Sequence, residues 1–174
     1  LQELNLLTSK PVLYVCNVAE SDAATGNEHT SAVEAMATAQ GAGAVIISAA
    51  IEAEVTQLAD EEAREYLDAM GLVEPGLDRL IRAGYALLNL ITYFTVGPKE
   101  TRAWTVEKGA KAPQAAGVIH SDFERGFIRA QTIAYNDYVT LGGEVAAKEA
   151  GKARDEGKEY VVQDGDIMLF RFNT

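Results

Sequence analysis

Cysteine is nearly absent from this chain: Cys16 is the only one in 174 residues. No disulfide framework and no cysteine-based zinc site can therefore form within one copy, and a reducing compartment is expected. Long apolar runs are also missing. The longest, 42–51, contains Gly43 and Ser48 and falls far short of the ~20 residues that a membrane-spanning helix needs. With no signal-peptide pattern either, the sequence predicts a soluble, cytoplasmic monomer with no membrane partner. Positive charge is scarce in the first half. Up to Tyr85 there are 4 basic against 14 acidic residues (net −10), and after it 11 against 12 (net −1). Such a chain is not a general nucleic-acid binder, because affinity for phosphates needs clustered Lys and Arg; a local basic face on the second half stays open. At 48% hydrophobic, the chain can bury a core for one ordinary domain or two small ones, and the charge asymmetry favours two. It opens on Leu1 rather than Met, and 1–7 reads as the end of a helix, as expected of a piece of a longer protein.

Against these absences, the most informative feature is the polar quartet Asn17-Val18-Ala19-Glu20, which directly follows the apolar run 12–16. An apolar run of five after Pro11 reads as a buried parallel strand, and ligands of open α/β sheets bind where strand C-termini meet loops. The quartet thus reads as a nucleotide-base recognition loop. P-loop GTPases carry Asn-Lys-x-Asp at this point; here Val18 replaces Lys and Glu20 replaces Asp. The longer Glu side chain displaces the carboxylate by one methylene, which weakens a guanine contact that depends on fixed donor and acceptor positions. A second apolar run, 44–47, ends in Ser48-Ala49-Ala50, similar to the Ser-Ala-x loop that closes over the base in the same GTPases. Between the runs, 28–40 has helical spacing at Val33, Met36, Ala37 and Gln40, with Gly41 and Gly43 beyond it. The alternative is a generic βαβ unit with polar loops.

Downstream, 52–70 reads as one acidic helix with an apolar stripe, stopped by Gly71, and Pro75-Gly76 opens a second helix over 77–88 whose Leu77, Leu80, Ile81, Gly84, Leu87 and Leu88 form a buried face. From Leu90 the texture turns to β. Strands are expected over 90–96 and 101–106, a short helix from Pro113 to His120, a strand over 127–135, a turn or short helix over 136–142 and a helix over 143–151. Asp164-Gly165 should separate 160–162 from 167–172 as a terminal hairpin. A sheet gripping one main helix in this order describes the β-grasp, or ubiquitin-like, class.

The stretches 82–85 and 90–95, then Arg102-Ala103-Trp104-Thr105, Ala112-Pro113-Gln114-Ala115-Ala116-Gly117, the run 120–130 from His120-Ser121-Asp122, and Asp164-Gly165-Asp166 resemble the YchF, or Obg-like ATPase, family over essentially the whole chain. The resemblance implies an α/β fold: the C-terminal portion of a P-loop GTPase-type (Rossmann-like) domain over 1–72, a connecting helix over 73–88, and a β-grasp TGS domain over 89–174. It implies base contacts by Asn17, Val18 and Glu20, with the Val18 main chain against adenine, and by Ser48, Ala49 and Ala50. It further implies ATP preferred over GTP, hydrolysed with Mg²⁺ by the complete protein, and a ribosome-associated, translation-linked or redox-responsive role. No Gly-x-x-x-x-Gly-Lys-Ser/Thr occurs, so the phosphate cradle is missing. The magnesium and phosphate sites would lie outside this chain, which should hold no catalytic residue and no metal ligand and be inactive alone. Asp68-Ala69-Met70-Gly71 spells Asp-x-x-Gly but follows the second base loop, the wrong order for a magnesium-binding switch.

The remaining candidates divide between chemistry and structure. His120 at a helix end reads as a capping residue rather than a catalyst, and Cys16 as a small buried apolar group. Lys148, Lys152, Arg154 and Lys158 are interleaved with acids and read as a solvated face. Arg125, Phe127 and Arg129 are the RNA- or partner-binding candidates. On a strand beginning near Phe127, residues Phe127, Arg129 and Gln131 would share one face. A ring and a guanidinium presented together suit RNA, although such a face also suits a protein partner or packing on the nucleotide domain. A non-catalytic RNA-, ribosome- or protein-binding TGS module with vestigial nucleotide loops is the alternative function.

Overall fold

The structure is a computed structural model that describes residues 6–173, so most of the expected helix end over 1–7 lies outside the described residues. The chain divides into two compact units, Leu1–Leu88 and Asn89–Thr174. In the first, strands β1 (Leu13–Asn17) and β2 (Gly43–Ile47) pair in parallel, with Leu13 opposite Gly43 and Asn17 opposite Ile47. Helix α1 (Glu28–Gln40) connects them. Its bounds follow from its caps. The Asn27 side chain accepts from the His29 and Thr30 N–H groups, the Thr30 hydroxyl accepts from the Asn27 N–H, and Gly41 ends the helix at φ 67°, a conformation with little cost only for glycine.

Three expectations about this unit are corrected. β1 is not fully buried: Val15 is 45% exposed, and Val12, just ahead of the strand, is 46% exposed. Among the described residues its sheet has two strands, so one edge of β1 has no neighbour to shield its side chains. The acidic stretch 52–70 is two helices, α2 (Ala49–Val55) and α3 (Asp60–Ala69). Asp60, Glu61 and Glu62 crowd the first turn of α3, and the Glu62 carboxylate accepts from the Ala59 N–H at 3.3 Å; negative charge and a side-chain cap both favour starting a new helix there. Helix α4 (Gly76–Leu87) packs on β1 and β2, yet Leu77 (50%), Ile81 (49%) and Leu88 (55%) are exposed. Gly76 is buried and Leu80, Gly84 and Leu87 are half-buried, so only part of the expected stripe is covered. Ile51, Leu67, Leu72 and Ala23 form the core cluster, with Val18, Val55, Tyr66 and Met70 packed around it.

The second unit holds one mixed five-stranded sheet in the order β4-β3-β7-β5-β6. Its elements are β3 (Leu90–Val96), β4 (Thr101–Glu107), α5 (Ala112–Ile119), α6 (Ser121–Arg125), β5 (Phe127–Ile133), α7 (Tyr135–Leu141), α8 (Glu144–Glu149), β6 (Arg154–Glu156) and β7 (Ile167–Phe172). β3 and β4 form the expected hairpin, while β7 runs parallel to β3 and antiparallel to β5. The inner face and α5 enclose Ile91, Tyr93, Ala115, Ala116, Met168 and Phe170, and the buried Tyr93 hydroxyl donates to the Ala115 carbonyl at 2.7 Å.

The terminal hairpin does not form. Residues 160–162 make a single bridge, Val161 with Lys111, and β7 enters the middle of the sheet instead. Asp164 and Asp166 explain why: the Asp164 carboxylate accepts from the Thr92 N–H at 2.8 Å, and the buried Asp166 carboxylate accepts from the Tyr160 hydroxyl and the Gln163 N–H. The turn residues are therefore bonded to β3 and to the preceding loop. The partner of β5 on its other side is β6, a three-residue strand too short and too charged to stand out in the sequence.

Candidate nucleotide-base site

β1 and β2 end side by side, which brings two loops separated by some thirty residues to one edge of the first unit. The Val18 N–H extends the pairing by donating to the Ile47 carbonyl at 2.9 Å. One residue earlier, the Asn17 side-chain oxygen accepts from the Ala49 N–H at 3.0 Å. That N–H belongs to the first residue of α2 and would otherwise lack a partner within the helix, so Asn17 braces the second loop against the first. The Val18 side chain reaches into the Ile51 cluster, leaving its carbonyl as the main-chain group on offer. Ala19 leads into a single 3₁₀ turn, Glu20–Asp22, which presents the exposed Glu20 carboxylate. Ser48 is 2% exposed and its hydroxyl makes no hydrogen bond, an orphaned polar group beneath the second loop.

Together these parts offer a carboxylate acceptor, a main-chain carbonyl, a carboxamide held by its oxygen, and two exposed small residues, Ala49 and Ala50. That donor and acceptor set fits the edge and face of a nucleotide base. Among the described residues no group of three or more His, Cys, Asp or Glu side chains is placed to hold a metal ion. The rim is anionic. Burial raises the Tyr66 phenol above its ordinary range, and the Glu20 and Glu54 carboxylates raise it further.

The face expected on the second unit is assembled differently. Phe127 is 4% exposed and packs edge-on against Phe170, with ring centres 6.3 Å apart, whereas Ile128 is 49% exposed. A bulge between Phe127 and Arg129 reverses the alternation, so ring and guanidinium fall on opposite faces. Arg129 is exposed and pairs with Asp155 at 3.1 Å. Arg125 ends α6 and pairs with Asp122 three residues earlier. His120 is a capping residue, its Nδ1 accepting from the Asp122 N–H at 3.2 Å. Lys148, Lys152 and Arg154 pair with Glu144, Asp137 and Glu156.

Two residues escaped the sequence reading. The Glu52 carboxylate accepts from the Gly76 and Leu77 N–H groups at 2.6 and 3.2 Å, which ties α2 to the start of α4; an acidic residue in an acidic stretch gave no sign of this. Arg171 lies directly opposite Arg129 in the β5–β7 register, a relationship that exists only once the strands are paired.

Comparison with known proteins follows the same division. The family model YchF-GTPase_C, described as "Protein of unknown function (DUF933)", matches residues 90–173. Over essentially its full length the chain is 55% identical to a Bacillus subtilis protein named "Ribosome-binding ATPase YchF", covering 99% of this chain and 48% of that protein. It is 45% identical to "Obg-like ATPase 1" of Rattus norvegicus, covering 97% of this chain and 43% of that one. The solved structure of the Schizosaccharomyces pombe YchF GTPase superposes with a TM-score of 0.81 at 40% identity, over 97% of this chain and 45% of that one. The chain thus spans about half the length of the curated relatives it matches.

Proposed function

The chain belongs to the YchF family of Obg-like ATPases, and from that premise we propose that it supplies the base-recognition loops of an ATP-binding site together with a TGS module. The carrying observation is the 3.0 Å bond from the Ala49 N–H to the Asn17 side chain. It fixes the two loops as one unit before any ligand arrives, and preorganisation of this kind lowers the cost of binding.

In this reading adenine meets the Val18 carbonyl, through its amino group, and the small residues Ala49 and Ala50 lie against the base. Glu20 takes the place of the guanine-reading Asp, so ATP is favoured over GTP. The nucleotide's phosphates and Mg²⁺ are held by a phosphate-binding loop that this chain does not contain, and hydrolysis belongs to a protein that has both. Residues 1–72 are then the nucleotide-domain portion, 73–88 the connecting helix, and 89–174 the β-grasp TGS domain; the sheet order β4-β3-β7-β5-β6 around α5 supports that last assignment. The names of the relatives support a ribosome-associated, cytoplasmic role, and among the described residues no helix is long and apolar enough to cross a membrane.

Equilibrium binding tests the proposal. A protein joining this segment to a phosphate-binding half should bind ATP more tightly than GTP and lose affinity on Asn17→Ala, while the 174-residue chain alone should show no magnesium-dependent turnover, because phosphoryl transfer rests on phosphate and metal positioning. Turnover by the chain alone would overturn the assignment of catalysis elsewhere. Equal loss-free binding by the Asn17→Ala variant would favour the non-catalytic module with vestigial loops.

A further inference from the structure

We propose that the open end of the outer sheet face of the second unit is a binding site for RNA phosphates, with Arg129 and Arg171 as its paired cations. The proposal rests on the ribosome-associated reading above and names the chemistry of the contact. Arg129 on β5 and Arg171 on β7 are opposed in register, which sets their Cβ atoms about 5 Å apart on one face. The neighbouring pair, Ala130 and Phe170, is buried on the inner face, so the arginines point outward, and both are exposed.

Like charges placed directly opposite in a sheet are destabilising. Only one of the two has a counter-charge among the described residues: Asp155 on β6 pairs with Arg129, while the Arg171 guanidinium makes no ion pair and no side-chain hydrogen bond there. The bulge between Phe127 and Arg129 is what creates the arrangement. Continued alternation from the buried Phe127 would turn Arg129 inward; the bulge re-aims it beside Arg171. An anion bridging both guanidiniums relieves their repulsion and matches their bidentate donors.

The surroundings select an extended polyanion over a small one. The next outward-facing register pair, Gln131 and Leu169, is half-buried and 38% exposed respectively, and both arginines are exposed. A free phosphate would be held by two exposed cations alone, whereas a phosphodiester strand can lay successive charges along the face, with the Gln131 amide available beside them.

The test uses the 174-residue chain with poly(U), followed by fluorescence anisotropy at 50 and 200 mM salt, and with intact ribosomes by cosedimentation. Arg171→Glu should weaken poly(U) binding at least about 10-fold at low salt and reduce the log–log salt slope by about 0.7 for each cation lost. It should leave thermal unfolding unchanged or raise its midpoint, because the new Glu faces Arg129. Asp155→Asn should tighten binding several-fold by releasing Arg129, an effect no structural role for this pair would produce. If the parent cosediments with ribosomes and Arg171→Glu cosediments equally well, the site is overturned while the ribosomal reading stands. If the parent ignores ribosomes yet binds poly(U) through Arg171, the site stands and the ribosomal reading falls. No arginine-dependent poly(U) binding, or equal binding of a phosphopeptide, overturns the proposal.

Discussion

The Glu52 carboxylate caps α4 by accepting hydrogen bonds from the Gly76 and Leu77 N–H groups at 2.6 and 3.2 Å. Since α2 begins just after Ser48, at the proposed second base loop, and carries Glu52 one turn later, a single short helix joins that loop to the start of α4. A side chain at Gly76 would crowd the clasp: a Cβ there would lie 2.9 Å from the Glu52 carboxylate and 3.1 Å from the Ile47 side chain. Gly76→Ala should cost about 1–3 kcal/mol through overpacking, and Glu52→Ala about 1 kcal/mol through the lost cap. Urea unfolding of the two single variants and the double variant checks both. The double should cost less than the sum, because removing the carboxylate removes one of the two clashes.

The bulge at the start of β5 makes adjacent residues unequal. Phe127→Ala empties a site lined by Phe170 and its neighbours and should destabilise the second unit by about 3–5 kcal/mol. Ile128→Ser changes an exposed side chain and should stay within about 0.5 kcal/mol. Regular alternation without the bulge would put Ile128 in the core and exchange the two results, so thermal unfolding of this pair decides the register.

The second unit should also weaken at alkaline pH. Burial pushes the Tyr160 phenol up to about 12, helped by its hydrogen bond to Asp166, and burial raises Tyr93 as well. Unfolded tyrosine ionises near pH 10, so between about 10 and 12 the unfolded chain has released protons that the folded chain still holds. Stability from these groups is complete below about pH 10 and is lost as pH rises through 12. Denaturation midpoints measured from pH 9 to 12 should fall, and Tyr160→Phe should flatten part of that fall. A pH-independent midpoint would mean that both phenols ionise with ordinary values.

What the sequence disclosed tracks how local each determinant is. α1 was legible because its apolar spacing at Val33, Met36, Ala37 and Gln40 and the glycine that ends it, Gly41, are all local to the helix. The end of β1 at Asn17 was legible because the apolar run and the polar quartet that follows it are contiguous. Pairing is another matter. Asp164-Gly165 reads as a hairpin turn, and only the long-range bond from the Thr92 N–H reveals that it delivers β7 to β3. Alternation likewise assigned Phe127 to the surface, because a bulge leaves no mark in residue type. The facing arginines were invisible for the same reason: forty-odd residues of chain separate them, and register alone makes them neighbours.

The two positions that distinguish the proposed base loop from a guanine-specific one should behave differently from each other. Val18 packs its side chain on the Ile51 cluster, so Val18→Lys removes apolar contact from the first unit's core and should cost about 1–2 kcal/mol of stability, while its main-chain bond to Ile47 survives. Glu20 sits exposed in its turn with no such packing role, so Glu20→Asp should leave stability within about 0.5 kcal/mol. In a protein that joins this segment to a phosphate-binding half, the double variant should shift preference toward GTP by about 10-fold or more, the scale of one paired polar contact. Glu20→Asp alone should carry most of that shift, because in the proposed site Glu20 stands where the guanine-reading Asp would, whereas Val18 contributes through its main chain, which the substitution keeps. Equilibrium binding of ATP and GTP to the three variants is the measurement. A ratio that follows Val18 instead of Glu20 would move specificity from the carboxylate to the main-chain geometry that Val18 anchors.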